Sequence, residues 1–395
     1  MRVFISACGE GLGHTARILA LHDALKRKGH EAVFAGYGNS LKIMKARGLE
    51  TIETFPEVRM VGKNGRFDII SSIINSSGTP LDLMKSYMVE KQAMANMNAD
   101  AVIGDSRLST MIAGATSRLP TFYITNQSEF KLPSLHISET RRIEASKILS
   151  KARLPAEIIR KMIDVPLSTP YSFADRLLIP DFKPPETICL PLLSRDIEIK
   201  KKTYFVGPMN ELCYKRIKKA GWESKKTKVL VTFGGQGFRA GLIGEIVKVA
   251  RRIGEFEFMV VSLFLKKDVD IENLKLRRFL PDIAPYAAAA DFLVIPGGHS
   301  SIIESILLEK PAIVIPDKGQ AEQESNAARY QQLGLGTTLS IDALGELEGA
   351  LKKLEANEEH HKERLAALSE RAKRSENGAK NTVEMIERFV ERIRY

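Results

Sequence analysis

Apolar residues along this chain keep to one repeated rhythm. A short run of consecutive hydrophobic residues gives way to a small-residue loop, and then to a stretch with hydrophobic positions at helical spacing. Arg2 to Ala7 is the first such run, Gly9 to Gly13 its loop, and Thr15 to Lys28 carries Ile18, Leu19, Leu21 and Leu25 on a helical repeat. Gly29-His30 closes that helix, and Glu31 to Ala35 begins the next strand. Ala101 to Gly104 and Pro120 to Ile124 read as further buried strands, each beside a helical segment. Fully apolar strands alternating with helices predict an α/β protein with parallel sheets covered on both faces.

The rhythm restarts at Lys228. Val229 to Phe233 is an apolar strand, Gly234-Gly235-Gln236-Gly237 its loop, and Leu242 to Ile253 the helix after it. Phe256 to Ser262, Phe292 to Ile295 and Ala312 to Ile315 follow as strands. The pattern predicts two doubly wound, Rossmann-like halves. The lysine-rich stretch from Ile199 to Glu223, with Val206-Gly207-Pro208 inside it, reads as the linker. The division expected is an N-terminal domain over 1–207, a C-terminal domain over 208–372, and a helix over 373–395 that packs back on the first domain. That last helix shows an apolar face of Val383, Ile386, Phe389, Val390 and Ile393.

Composition narrows the setting. Of 395 residues, 44 % are hydrophobic and 27 % charged, in the range of a folded globular protein. The apolar runs are far shorter than a membrane span, and the N-terminal strand enters its glycine loop too early for a signal peptide. Cys8, Cys189 and Cys213 have neither metal-site nor disulfide-framework spacing, which suggests a cytoplasmic protein. The net charge of +11 is concentrated before residue 208, where 29 Lys/Arg face 21 Asp/Glu. Such a half suits an anionic membrane surface or a phosphorylated ligand. Sparse aromatic–basic interleaving argues against nucleic acid. Val58 to Tyr87 combines Met60, Val61, Phe67, Ile69, Ile70, Ile73 and Ile74 with Arg59, Lys63, Arg66 and Lys85, a mixture that suits either a lipid contact or a cover for the sheet.

Candidate chemistry sits just after the strands. Glycine loops at Gly9–Gly13 and Gly234–Gly237 let the backbone approach a ligand, and each opens a helix whose N-terminus attracts anions. Gly9-Glu10-Gly11-Leu12-Gly13-His14 lacks the third glycine of the dinucleotide fingerprint. His14 at the helix start can act as a general base, and Asp105, ending another strand, can fix its tautomer; the competing reading makes Asp105 a helix cap. In the second half, Gly297, Gly298, His299, Ser300 and Ser301 lie between a strand and a helix and can cradle a diphosphate. Glu304 either completes a capping box with Ser301 or accepts ribose hydroxyls. Glu322 and Gln323 follow the next strand and can bind sugar hydroxyls.

Together these residues resemble the GT-B glycosyltransferases, above all the peptidoglycan N-acetylglucosaminyltransferase type (glycosyltransferase family 28) and the UDP-glucuronosyltransferase superfamily. The likeness is dense from residue 228 to 336. Val229 to Gly237 is similar to the donor-domain strand and glycine loop, Phe205-Val-Gly-Pro208 to the interdomain passage, and Arg278-Phe279-Leu280 to the uracil-binding segment. Ser301-x-x-Glu304, Pro311, Pro316, Glu322-Gln323 and Asn326-Ala327 keep the family's order. Gly9 to His14 is similar to the loop that carries the family's base. The resemblance implies two domains facing a cleft and an inverting, metal-independent transfer from a UDP-sugar to an acceptor hydroxyl, with no cofactor beyond that co-substrate. It implies His14 and Asp105 as catalytic residues and Gly11 and Gly13 as acceptor-binding. Gly234, Gly235, Gln236, Gly237, Phe279, Leu280, Gly297 to Ser301, Glu304, Glu322 and Gln323 would bind the donor. The basic first half favours a lipid-linked acceptor, with the protein peripheral on the inner face of a membrane. Glu322 replaces the glutamine or aspartate of those families, so the donor sugar is left open.

Two further motifs carry less. Asp268-Val269-Asp270 spells a metal motif, but it lies in a lysine-rich connection with no further ligands in sequence. His360 and His361 are adjacent in a helical run and do not share a face. Alternative functions are a UDP-sugar 2-epimerase of the same fold, a non-catalytic nucleotide-sugar-binding subunit and, more remotely, a dinucleotide-dependent oxidoreductase.

Overall fold

A computed structural model describes residues 1–57, 59, 61–63, 66–67, 79–128, 170–234 and 239–394. The first lobe begins with β1 (Arg2–Ala7), α1 (Leu12–Arg27), β2 (Glu31–Gly36), α2 (Gly38–Ala46) and β3 (Thr51–Glu53). A two-stranded ribbon, β4 (Gly62–Lys63) and β5 (Arg66–Phe67), precedes α3 (Thr79–Asn96), β6 (Ala101–Asp105), α4 (Leu108–Thr116), β7 (Thr121–Ile124), β8 (Arg176–Ile179), α5 (Ile197–Lys201) and β9 (Thr203–Phe205). Its main sheet runs β3-β2-β1-β6-β7-β8-β9, parallel throughout.

The second lobe repeats the plan with β10 (Thr227–Thr232), α6 (Ala240–Ala250), β11 (Phe256–Val261), β12 (Val269–Ile271), β13 (Leu274–Arg277), α7 (Ala284–Ala289), β14 (Phe292–Pro296), α8 (His299–Leu307), β15 (Ala312–Ile315), α9 (Ala321–Gln332) and β16 (Gly336–Thr338). Its order is β12-β13-β11-β10-β14-β15-β16, with β12 antiparallel to β13. Helices α10 (Leu347–Ala356), α11 (Glu358–Arg374) and α12 (Gly378–Arg394) complete the chain. Central strands are unbroken apolar runs because both faces are covered: Val3, Phe4, Ile5, Val229, Leu230 and Val231 are fully buried. In each sheet the strand order reverses at the first strand of the lobe, β1 and β10. Crevices of that kind, outside the carboxyl ends of the strands, are where open α/β sheets bind ligands.

α12 crosses back to the first lobe. Ala379, Val383, Ile386 and Val390 are buried with Ile18, Leu21 and Leu25 of α1 in one cluster. Phe389 meets Phe122 edge to face at 5.5 Å, and the Arg176 guanidinium lies 4.8 Å from the Phe389 ring centre. The two passages between the lobes are fastened to each other. Gly378 N–H donates to the Pro208 carbonyl at 2.9 Å, and the Asn381 amide donates to the Val206 carbonyl at 2.7 Å. Gly207, at φ +96°, lies so close to the Glu376 carbonyl that a side chain would overlap it.

The stretch read as a linker from Ile199 is only partly one. Its first residues finish α5 and form β9, the edge strand, because Tyr204 and Phe205 pair with β8 while Lys200 and Lys201 stay exposed. Further along, Leu212, Cys213 and Trp222 are buried in the core of the second lobe. Among the described residues, no helix is long and apolar enough to cross a membrane.

Candidate active site

The site lies where the carboxyl ends of the two sheets face each other. Parallel pairing sets Ala7 opposite Asp105, so the loop after β1 and the end of β6 meet at one edge. Gly11 turns the chain into α1 at φ 88° and ψ 159°, backbone that only glycine adopts readily. His14 then falls in the first turn of α1. Its Nδ1 lies 2.9 Å from Asp105 Oδ1, with the imidazole one-fifth exposed and the carboxylate fully buried. Asp105 does not cap the following helix, α4, whose first-turn N–H groups at Leu108 and Ser109 donate instead to the Glu57 carboxylate at 2.7 and 3.1 Å.

Arg17, one turn after His14, completes the arrangement. Its Nε donates to Asp105 Oδ2 at 2.7 Å and its Nη2 to Oδ1 at 2.8 Å. Nη2 is also 2.7 Å from His14 Nδ1. Burial alone would raise the Asp105 pKa, but the Arg17 guanidinium, with help from His14, holds it well below the usual carboxylate range. Arg17 Nη1 donates to Asn126 Oδ1 at 3.2 Å, and Asn126 Nδ2 donates to Glu322 Oε1 of α9 at 2.9 Å. A continuous polar chain therefore crosses the cleft, from His14 and Asp105 in the first lobe to Glu322 in the second. Glu10, in the loop before α1, is half-buried; burial raises its pKa, against the pull of His14 and Arg59.

The second lobe presents its own helix start. α8 begins at His299, two residues before Ser301, so Ser301 is not the cap and the S-x-x-E pair forms no capping box. Glu304 is instead partly buried, with the Asn210 amide 3.4 Å from its carboxylate. Burial pushes its pKa up to about 7. Gly298 caps α8 through its backbone, with open space where a side chain would be. Gly13 faces Ser300 so closely that a methyl there would overlap Ser300 Oγ. The starts of α1 and α8 thus abut across the cleft, and two positive dipole ends converge on one spot.

Some residues singled out in the sequence turn away from the cleft. The His299 ring is buried with Nε2 3.1 Å from Asp181 of the first lobe, which leaves its backbone, not its side chain, at the loop. Gln323 is buried and spends both ends of its amide on Asp317: Nε2 donates to Oδ2 at 2.7 Å, and Oε1 accepts from the Asp317 N–H at 3.1 Å. In this arrangement Gln323 braces the loop after β15. Gly13, expected at the acceptor, borders the loop of the opposite lobe. Asn326 donates to the Gly297 carbonyl at 3.2 Å and fixes the glycine loop from behind. Phe279, after β13, is 63 % exposed, and Leu280 packs against the core.

Gly234 has φ +63° and opens the loop after β10; Gly235, Gln236 and Gly237 lie outside the described residues. So do parts of Val58–Tyr87 and of the central region from Ser128 to Asp181. Just past that loop, buried Arg239 binds the Asp317 carboxylate and the Phe233 carbonyl, tying the loop's base to the end of β15. Asp270 is paired with Arg277, and Asp268 accepts the Arg278 N–H at 2.7 Å, so both carboxylates of the apparent metal motif are engaged in their own turn.

Arg17, Asn126 and Asn210 carry no motif in the sequence. Arg17 alone left a signal, since it stands three residues after His14 and shares its helix face.

Residues 228–382 match the glycosyltransferase family 28 C-terminal domain. An uncharacterized glycosyltransferase of Methanosarcina acetivorans is 29% identical over 344 residues, 86% of each chain. The UDP-N-acetylglucosamine--N-acetylmuramyl-(pentapeptide) pyrophosphoryl-undecaprenol N-acetylglucosamine transferase of Sulfurihydrogenibium sp. is 23% identical over 340 residues, 85% of this chain and 83% of that one. Among solved structures, the glycotransferase of kitacinnamycin superposes with a TM-score of 0.68 at 17% identity over 98% of both chains. The spinosyn rhamnosyltransferase SpnG complexed with thymidine diphosphate gives 0.61 at 14% identity, over 94% of this chain and 95% of that one. Two Rossmann-like lobes facing one cleft, a family 28 domain in the second of them, and relatives that are themselves glycosyltransferases identify the chain as a glycosyltransferase of the GT-B fold.

Proposed function

We propose that the protein transfers a sugar from a UDP-sugar to an acceptor hydroxyl with inversion and without a metal ion. The observation that carries this reading is the His14–Asp105 pair at the sheet edge, 2.9 Å apart, beside the abutting starts of α1 and α8. In the base-competent tautomer His14 Nδ1–H donates to Asp105, Arg17 Nη2 spends its hydrogen on Asp105 Oδ1 rather than on that nitrogen, and Nε2 is left for the acceptor hydroxyl. Nε2 takes the hydroxyl proton as the oxygen attacks the anomeric carbon from the face opposite the diphosphate. Negative charge then grows on the departing diphosphate. Amides of the Gly297–Ser301 loop and the dipole of α8 stabilise it where a cation would otherwise act. In this reading Glu304 takes the ribose hydroxyls and Glu322 the sugar.

A lipid-linked acceptor on the inner face of a membrane suits the surface of the first lobe. Leu81, Met84 and Met88 are 63 %, 55 % and 63 % exposed at helical spacing on α3. Lys85 lies among them, and Arg59 pairs with Asp82 at their edge. An apolar stripe with basic neighbours is suited to an anionic interface.

A thermal-shift panel of nucleotide sugars identifies base and sugar together, because a bound ligand stabilises the fold by mass action. Turnover of the hit with and without a lipid acceptor then tests the chemistry. Conversion of the donor with no acceptor present would reveal an epimerase instead, and no stabilisation by any nucleotide would end the proposal.

A further inference from the structure

An imidazole beside a buried carboxylate has a built-in difficulty as a base. The carboxylate favours the imidazolium, and an imidazolium cannot accept a proton. Here the carboxylate is not alone. Arg17 holds Asp105 with two charge-assisted bonds, at 2.7 and 2.8 Å, and both partners are almost wholly removed from water. Arg17 Nη2 also stands 2.7 Å from the imidazole nitrogen that faces Asp105. A fixed positive charge at that distance opposes a second one on the ring.

We infer that Arg17 is a positioning residue that keeps the His14 imidazole neutral, and so able to take the acceptor's proton, by occupying the charge of Asp105. This rests on the reading of His14 as the base. The other charged groups facing the ring are few. Glu10 comes from the preceding loop, with Arg59 acting on it, and Glu322 reaches in from α9 through Asn126, its charge felt at Arg17. Asp105 at 2.9 Å and Arg17 at 2.7 Å both stand at the ring's Nδ1, so these two set the balance. The Asn126 amide fits this order in one orientation, with its oxygen against the guanidinium and its nitrogen against the Glu322 carboxylate. Arg17 is thereby steadied from the opposite lobe as well as by Asp105.

The test follows the charge of the ring directly, by NMR titration of ¹³C-histidine-labelled protein, next to the pH profile of kcat/KM for the nucleotide sugar found by thermal shift. In Arg17→Gln the ring's midpoint and the acidic limb of the profile should both move up by about one pH unit or more. Activity at pH 7 should fall about tenfold or more and recover near pH 9. In Arg17→Gln/Asp105→Asn both should return towards wild type, at a uniformly lower rate. Should Arg17→Gln not fold, Asp105→Asn is compared with the double variant. With Arg17 left unbalanced, the ring midpoint should lie lower in Asp105→Asn than in the double variant. A midpoint unchanged or lowered in Arg17→Gln, or equal in the latter pair, overturns the inference. Full transfer by His14→Ala would sink the base assignment instead, and the NMR arm keeps the two failures apart.

Discussion

Glu304→Gln should make the protein more stable and a poorer binder of nucleotide. The carboxyl of Glu304 titrates near 4.5 when exposed and near 7 in the folded protein, because burial penalises its charge. Between those values the unfolded chain is ionised while the folded one keeps its proton. Stability that is whole below pH 4.5 is therefore drained as pH rises and is gone above about 7. The gap corresponds to about 3 kcal/mol, an upper value because Glu304 is only partly removed from water, which screens its charge. Glutamine fills the same space without a charge to desolvate. At pH 8 the variant should melt several degrees higher than wild type, at about 2–4 °C per kcal/mol for a lobe of this size, and at pH 4.5 the two should melt together. Ligand binding should show the opposite. Hydroxyl donors to a carboxylate are worth about 1.5–3 kcal/mol, so UDP affinity should drop by roughly tenfold or more. Melting curves at both pH values, with and without UDP, and calorimetry of UDP binding are the assays. A stability gain of the same size at both pH values, or none at pH 8, would refute the argument from burial. A gain at pH 8 with unchanged UDP affinity would remove Glu304 from the ribose.

Other substitutions bear on neighbouring parts. His14→Ala should keep UDP binding within twofold or so while transfer falls by about 10²- to 10⁴-fold, read by calorimetry and initial rates. Gly13→Ala should push α1 away from Ser300 and cut kcat at least about tenfold with little loss of thermal stability, since a small displacement at a reacting centre is costly. Addition of EDTA should leave turnover unchanged; a loss restored by Mg²⁺ would overturn the metal-free mechanism. Phe389→Ala should lower stability by about 2–4 kcal/mol in denaturant melts, through its lost packing on Phe122 and Arg176.

The sheet cores were legible because strands covered on both faces are apolar at every position, as at Val3-Phe4-Ile5 and Val229-Leu230-Val231. Strands at or next to a sheet edge were not. β9 hides among lysines, and β12 and β13 mix charges with apolar residues because one side meets water. At the site, His14 and Asp105 stood out because each directly follows a glycine loop or a strand. Arg17 and Asn126 did not. Their meaning comes from partners 88 and 196 residues away, Asp105 and Glu322, and no local pattern encodes such distances. The bond from Gln323 to Asp317 was equally hidden: its position after β15 suggests a ligand contact, and nothing in the local pattern announces the carboxylate that its amide meets.

The last helix of the chain supplies a wall of the first core. A ribosome delivers residues in order, so the amino-terminal lobe must wait through the synthesis of the whole second lobe before α12 emerges to seal it. Until then the part of that core, shared by α1 and the sheet, that Ala379, Val383, Ile386 and Val390 complete stands unsealed. Such a nascent intermediate is a natural client for chaperones and a point where aggregation competes with maturation. It also means that the amino-terminal lobe expressed alone would lack part of its own interior, whereas supplying residues 378–394 as a separate peptide should restore it.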